Sequence, residues 1–425
     1  MMSLTKLCST SERAHLAGLL MAVAWLMLLS GCAGSPYAPS PVEEVPFIER
    51  SKTQVKDNIR VTTSVPSAAE TRALFGVPLY KRGVQPVWLK IDNLSDEAMS
   101  FLPVGLDSEY SSPIGAATLT QRTDPKPAMA LHFFKSGMRV HVYPGETVSG
   151  FMFTRLDEGT KAFNVDIVGE DGTLAYFTFF IQVPGLQIDH QNVDFEALYS
   201  ASTIVEHDAD SLIAALRGMP CCTTDKKSKD QGDPLNIVVI GDTDDVYYSF
   251  IRAGWDETET IYAGSGIRTA WSFFSGGEYR YSPVSGLYVL GRTQDVALQK
   301  TRDNIHERNH LRLWMTPMRF EGKPVWIGQI SRDIGVRFTM KTITTHKIDS
   351  DVDETREYLL EDLAYHQALA KIAYVDGVGA APIEAPRHNL TGDPYFTDGL
   401  RVVLWVSSTP VDIADIETKD WVTPY

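Results

Sequence analysis

A short basic leader containing Lys6 and Arg13 is followed by an uncharged apolar run, Leu16 to Leu29, which stops at Leu29-Ser30-Gly31-Cys32. At 14 residues the run is too short for a bilayer core, which takes about 20 residues of helix to cross. A charged leader, an apolar stretch and then small residues form the layout of a secretory signal. No later stretch approaches the roughly 18 consecutive apolar residues of a spanning helix. The folded body is therefore expected to assemble after export, from residue 32 onward, and without membrane helices.

The end of the run resembles the lipobox of bacterial lipoproteins. Ser30 and Gly31 suit a narrow protease cleft, and the thiol of Cys32 is the group that would take the lipid. The resemblance implies residues 1–31 as signal peptide and Cys32 as the lipidation site, with membrane lipid as a partner through the acylated N-terminus. Two or more acyl chains hold a protein firmly where one does not. Ala33 rather than Asp at the next position implies an outer-membrane anchor facing the periplasm. Residues 32–54, rich in Pro, Ser and Glu, read as the lipidated cysteine and a flexible spacer.

Roughly 370 residues then remain, more than one core commonly serves, so two domains are expected. A formal charge of −15 argues against a nucleic-acid partner. Cys8 leaves with the signal and Cys32 is lipidated, which leaves the adjacent pair Cys221-Cys222. In an oxidising compartment that pair could close a vicinal disulfide, stay reduced, or bind a soft metal.

The expected fold class is mixed: an N-terminal all-β sandwich over 55–190, a helical linker with the cysteine loop over 191–233, and an α+β domain over 234–425. Short runs with turn signals at Pro144-Gly145, Asp157-Glu158-Gly159 and Asp171-Gly172 predict the sandwich. Met129 to Phe134 and Met138 to Tyr143 are among the expected strands, and Ala175 to Val183 is read as a central one. Helices are expected over Phe195–Val205, Asp208–Leu216, Asp244–Ala253, Thr293–Lys300 and Asp353–Ile372. Asp208 and Asp353 are read as caps.

Chemistry concentrates in His306-Glu307-Arg308-Asn309-His310-Leu311-Arg312-Leu313-Trp314. As a strand, this places Arg308, His310, Arg312 and Trp314 on one face. Arg forks and a Trp plate suit an anionic or carbohydrate ligand, with Arg332 and Asp333 approaching from the end of a later strand; a plain salt-bridged surface face is the alternative. The same residues complete H-E-x-x-H. As a helix, it would put His306 and His310 on one metal, with His346 as a distant third ligand and Glu307 as base. Zinc or another divalent ion would then be the cofactor; the strand reading needs none. His346 and Asp349 form a second pair that could serve acid–base or metal chemistry. The later residues Asp351 and Asp353 are better explained by the helix that follows.

Pro220-Cys221-Cys222-Thr223-Thr224, Gly232-Asp233-Pro234-Leu235-Asn236, Leu287-Tyr288-Val289-Leu290-Gly291-Arg292-Thr293-Gln294-Asp295, Arg308 to Trp314, and Asp353-Glu354-Thr355-Arg356 occur in this order. Over roughly 210–375 the chain is similar to the LssY C-terminal domain family. That family is associated with type I secretion, often fused to membrane-embedded phosphatase-like modules, and it has no agreed catalytic residues to carry over. The resemblance implies a soluble accessory domain with envelope or secretion proteins as partners. Three functions are consistent with the sequence: an accessory or ligand-binding envelope lipoprotein that is not an enzyme, a metal-dependent hydrolase of an envelope ester or phosphoester, and a structural component of an envelope complex. Oligomeric state is not legible.

Overall fold

The computed structural model describes residues 37–120, 124–157, 159–185, 193–258, 286–301, 308–337 and 345–422. Its first region is built from β1 (Lys52–Lys56), β2 (Ile59–Ser64), β3 (Val84–Asn93), β4 (Met99–Leu102), β5 (His141–Val142), β6 (Thr147–Arg155), β7 (Thr160–Gly169) and β8 (Leu174–Gln182). These make two antiparallel four-stranded sheets, β1-β2-β3-β6 and β5-β4-β7-β8. Val61, Leu89 and Ile91 from one sheet meet Phe163, Val165, Phe177 and Phe179 from the other in a common core. Alternation along β3 sends Trp88 the other way, into a second core with Phe47, Phe75, Phe133 and Phe151. That outer face is covered by α1 (Ala68–Phe75), α2 (Pro113–Leu119) and α3 (Pro127–Ser136).

Three expectations change here. The strand expected over Met129–Phe134 is part of α3, where Pro127 occupies the first turn and Met129 and Phe133 share the buried side at i, i+4. β8 is an edge strand rather than a central one. Phe180, on its second face, is covered instead by Tyr247 of the second region, with ring centroids 5.6 Å apart. The spacer is also shorter than expected. Phe47 is fully buried and Val45 nearly so, the Ser40 amide donates to the Ala73 carbonyl, and residues 37–50 thus lie against the body.

The second region contains β9 (Val205–His207), α4 (Ala209–Gly218), β10 (Cys222–Thr224), β11 (Gln231–Pro234), β12 (Ile237–Ile240), α5 (Thr243–Arg252), β13 (Asp256–Glu257), β14 (Tyr288–Val289), β15 (Arg292–Thr293) and β16 (Val296–Thr301). After these come β17 (Arg308–Phe320), β18 (Lys323–Arg337), β19 (Thr345–Ile348), α6 (Val352–Tyr365), β20 (Leu369–Asp376), β21 (Arg387–His388), β22 (Pro394–Tyr395), β23 (Leu400–Val406) and β24 (Glu417–Thr418). A ten-stranded sheet runs β13-β16-β17-β18-β12-β23-β20-β24, with β9 on β17 and β19 on β18. It is mixed: β12 pairs parallel to β23 and antiparallel to β18. The expectation of helices with antiparallel strands is corrected to that extent.

The sheet is buried on both sides, which explains why β12 and the stretch Val402–Val406 of β23 are continuous apolar runs. Ile237, Leu311, Leu313 and Leu404 pack against α5 and α6 through Phe250, Leu359 and Leu363. Val238, Trp314, Ile327 and Trp405 pack on the opposite side with Leu212 and Leu216 of α4. Asp208 caps α4 as expected, accepting from the Ser211 amide at 2.9 Å. The helix expected over Thr293–Lys300 is instead β15 and β16, whose Val296 and Leu298 enter the core in strand alternation. Residues 195–204 form turns leading to β9 rather than a helix. The helix from 352 stops at Tyr365, because Gln367 takes a left-handed φ of 57° and the chain turns directly into β20; its cap is Asp351, not Asp353.

Candidate functional site

The strand reading of Arg308 to Trp314 holds, and β17 does place Arg308, His310, Arg312 and Trp314 on one face. That face is not open. Trp314 is 0% exposed and sits in the apolar core, while Arg308, His310 and Arg312 beside it are buried as well. β17 and β18 pair with His310 opposite Ser331, Arg312 opposite Gln329 and Trp314 opposite Ile327. β16 adds Gln299 opposite His310.

The result is a polar layer continuous with an apolar one. His310 Nε2 lies 2.6 Å from Asp333 Oδ2, and Arg308 Nε stands 4.0 Å from the same oxygen. Arg308 Nη1 donates to Gln299 Oε1 at 2.8 Å, and Arg312 Nη1 donates to Gln329 Oε1 at 2.9 Å. Burial pulls His310 down to about 4, against the pull of Asp333 and with the help of Arg308 and Arg312. The imidazole is thus neutral at pH 7. With Asp333 ionised the carboxylate can only accept, and Nε2 then carries the proton in this pair.

From above, Asp233 of β11 faces Arg312. Burial raises its pKa, opposed by the hydrogen bond from Asn389 and by Arg312, and assisted by Asp333 and Asp393. Asn389 Nδ2 donates to Asp233 Oδ1 at 3.0 Å, and Asn389 Oδ1 in turn accepts from the amides of Thr391 and Asp393. Cys221 and Cys222 are joined in a vicinal disulfide at the start of this cover, with Cys222 Sγ 3.7 Å from the Tyr395 hydroxyl. Close by, Arg401 donates to the Leu235 carbonyl at 2.9 Å and to the Pro220 carbonyl at 2.6 Å.

Arg332 belongs elsewhere. It pairs opposite Asn309, which puts it on the helix side of the sheet. There Nε donates to Asn309 Oδ1 at 3.1 Å, Nη1 pairs with Glu354 of α6 at 2.5 Å, and the guanidinium lies 5.3 Å from the Tyr358 ring. It cannot share a ligand with Arg312. Asp349 is placed in the turn before α6, accepting from the Asp351 amide at 3.1 Å. His346 is in β19, opposite Val336. His306 and Glu307 lie outside the described residues.

The metal-hydrolase arrangement needs His310 one helical turn from His306. His310 is in a strand instead, so that helical arrangement is not available to it. Of the pair expected to approach from the later strand, Asp333 does meet the Arg/His face. Sequence reasoning missed Gln299, Gln329, Asp233 and Asn389. A signal existed for Gln329, a lone amide in the apolar run Val325–Ile330; Asp233 and Asn389 are distant in sequence, with no local mark.

An open cavity of about 370 Å³ lies between the two regions instead. β7 and the short helix Pro103–Leu106 with the two residues after it line one side, and α5 with β13 the other. The walls are joined by Thr160 Oγ1 donating to Glu257 Oε1 at 2.9 Å and by the Tyr248 hydroxyl donating to Asn164 Oδ1. Glu257 is 2% exposed, and burial pushes its carboxyl up to about 8. Burial also raises Asp166, against the charge of Arg252. Asp166 fits only because residue 105 is glycine: a Cβ there would stand 2.2 Å from Asp166 Oδ2. Lys161 is already engaged, its Nζ 2.5 Å from Asp157 Oδ2. Two carboxyls displaced from their ordinary range in one cleft mark a candidate binding site.

Together these define a two-part architecture: a β-sandwich with a helical outer layer, joined across a polar cleft to a mixed α/β domain with a closed charged layer. Within it, residues 215–400 match the model of the LssY C-terminus family. No curated protein matches the chain. Among solved structures, ycdA of Bacillus subtilis, a candidate lipoprotein, is similar at 13% identity, covering 62% of this chain and 72% of its own, with a TM-score of 0.17. A likeness that loose carries no argument here. Among the described residues, no helix is long and apolar enough to cross a membrane, and no group of three or more His, Cys, Asp or Glu is arranged to hold a metal.

Proposed function

We propose that this is an acyl-anchored accessory protein of the cell envelope, facing the periplasm from the outer membrane, that binds a small polar ligand in the cleft between its two domains. The observation that carries the ligand reading is the cleft itself, with Asp166 and Glu257 perturbed on facing walls. With Glu257 protonated, the lining still carries four aspartates, Asp107, Asp157, Asp166 and Asp256, against Arg155, Lys161 and Arg252. A ligand carrying an amine together with hydroxyls, such as an amino sugar, fits that balance. Anchoring rests on the residues leading to Cys32, and the accessory role on the LssY C-terminus match. The Arg308/His310/Arg312 layer is closed, so we assign it to holding the domain rather than to an anionic ligand, and we read the chain as a binding protein rather than an enzyme.

The test is calorimetric titration of the mature body with glucosamine, and with glucose as the uncharged control. Saturable binding of glucosamine, weakened at least tenfold by Asp166→Asn and absent for glucose, supports the reading. Heat no greater than dilution for both sugars counts against it.

A further inference from the structure

We infer that the helical hairpin α2–α3 is a membrane-contacting surface, laid into the bilayer interface beside the lipid anchor. The inference rests on acylation of Cys32, proposed above, and adds where the body touches the membrane.

The first argument is tether length. Tyr37 is fixed to the body: its hydroxyl donates to the Phe75 carbonyl at 3.0 Å, and its ring lies 5.8 Å from His132 of α3. The ring also rests on Gly76, where a Cβ would come within 3.0 Å of it. Tyr37 stands five positions after Cys32. A fully extended chain covers at most about 3.6 Å per residue, so the acylated residue stays within about 18 Å of this point. α3, with ten residues, is about 15 Å long. The hairpin is therefore held within about one helix length of the anchor.

The second argument is what α3 presents. Met129 and Phe133 enter the core, while Leu131 and Phe134, one turn apart, are 53% and 67% exposed. α2, packed against α3, adds Ile114 at 41% and Leu119 at 51%. Lys126 and Lys135 are exposed at the ends of the apolar side. Apolar side chains flanked by lysines are the composition of an interfacial helix. A net charge of −15 opposes free adhesion to an anionic membrane, which explains why such a surface would depend on the tether. A bilayer is chosen over a second copy because the chain that leads to the anchor ends beside this patch.

The test uses the acylated full-length mature protein in phosphatidylethanolamine–phosphatidylglycerol vesicles. A nitroxide is placed at Phe134→Cys, and in a separate protein at Tyr365→Cys, a residue 77% exposed on α6. Oxygen-to-nickel collision ratios report lipid against water. The expected result is a ratio several-fold higher at 134 than at 365, falling to the level of 365 in the Cys32→Ala protein without vesicles. Equal, water-like ratios on protein whose intact mass shows the acyl chains overturn this inference and leave the anchor standing. An intact mass without acyl chains overturns both. Burial of the label at 134 without vesicles, dependent on protein concentration, assigns the patch to a second copy and overturns the inference.

Discussion

His310 and Asp333, 23 residues apart in sequence, meet at 2.6 Å on neighbouring strands with a buried arginine on either side of the imidazole along β17. The pair is the centre of a layer in which each charge has a counter-group at hand. Removing one partner from such a layer leaves the other without compensation. Asp333→Ala is expected to destabilise the protein by about 3–5 kcal/mol, the usual cost of breaking a buried pair. Urea unfolding of the mature body checks this; a loss below about 1 kcal/mol would mean that the layer carries no such weight.

The two arginine environments should separate cleanly. Arg332 pairs with Glu354, which is half exposed, and stacks on Tyr358, so Arg332→Ala should cost about 1 kcal/mol. Arg312→Ala leaves buried Gln329 without its donor and removes the cation facing buried Asp233, and should cost several times as much. The same urea titrations, run side by side, test the ranking.

Stability should respond to pH in two opposed ways. Glu257 has its pKa raised in the fold, so the folded state binds more protons and stability falls as pH rises from about 4.5 to about 8. His310 has its pKa lowered, so its contribution is present above 6.5 and lost as pH falls from there toward about 4. Each tenfold difference in proton affinity between the folded and unfolded chain corresponds to about 1.4 kcal/mol. Glu257→Gln should flatten the alkaline limb and leave the acid limb; melting temperatures between pH 4 and pH 9 give the comparison.

Gly105→Ala places a methyl group against the Asp166 carboxylate and should displace it within the cleft. Glucosamine binding should weaken at least as much as in Asp166→Asn, with the far-ultraviolet dichroism unchanged. Normal affinity in Gly105→Ala would remove Asp166 from the site.

On the proposed processing, which removes Cys8 and acylates Cys32, and with Cys221–Cys222 bonded, the mature protein should carry no free thiol. Alkylation before reduction should add no mass, and alkylation after reduction should modify both cysteines of the pair. Labelling without reductant would show the pair to be reduced.

The alternation of Arg308, His310, Arg312 and Trp314 against Leu311 and Leu313 was legible because a strand repeats every two residues. What covers that face was not, since the cover comes from Asp233 and Asn389, brought there by chain turns far from β17. The side taken by Arg332 depends on which residue it opposes in β17, and pairing register is a tertiary fact. Two element assignments failed on short apolar runs, where periodicity does not separate helix from strand. Met129–Phe134 became helical behind Pro127, and Val296–Thr301 became a strand because both of its neighbours in the sheet supply hydrogen bonds. The cleft was invisible for the same reason: Asp166 and Glu257 are 91 positions apart and have nothing in common until the two domains dock.

The register of β17 on β18 has a consequence for assembly. A slip of one residue would turn Arg308, His310 and Arg312 toward Leu359 and Leu363 and drive Leu311 and Leu313 among the carboxylates. Every slip by an odd number of residues is thereby penalised on both sides of the sheet at once. A slip by two residues keeps the faces but separates His310 from Asp333 and Arg312 from Gln329, so the charged layer acts as a proofreading code for a strand pair that could otherwise slide.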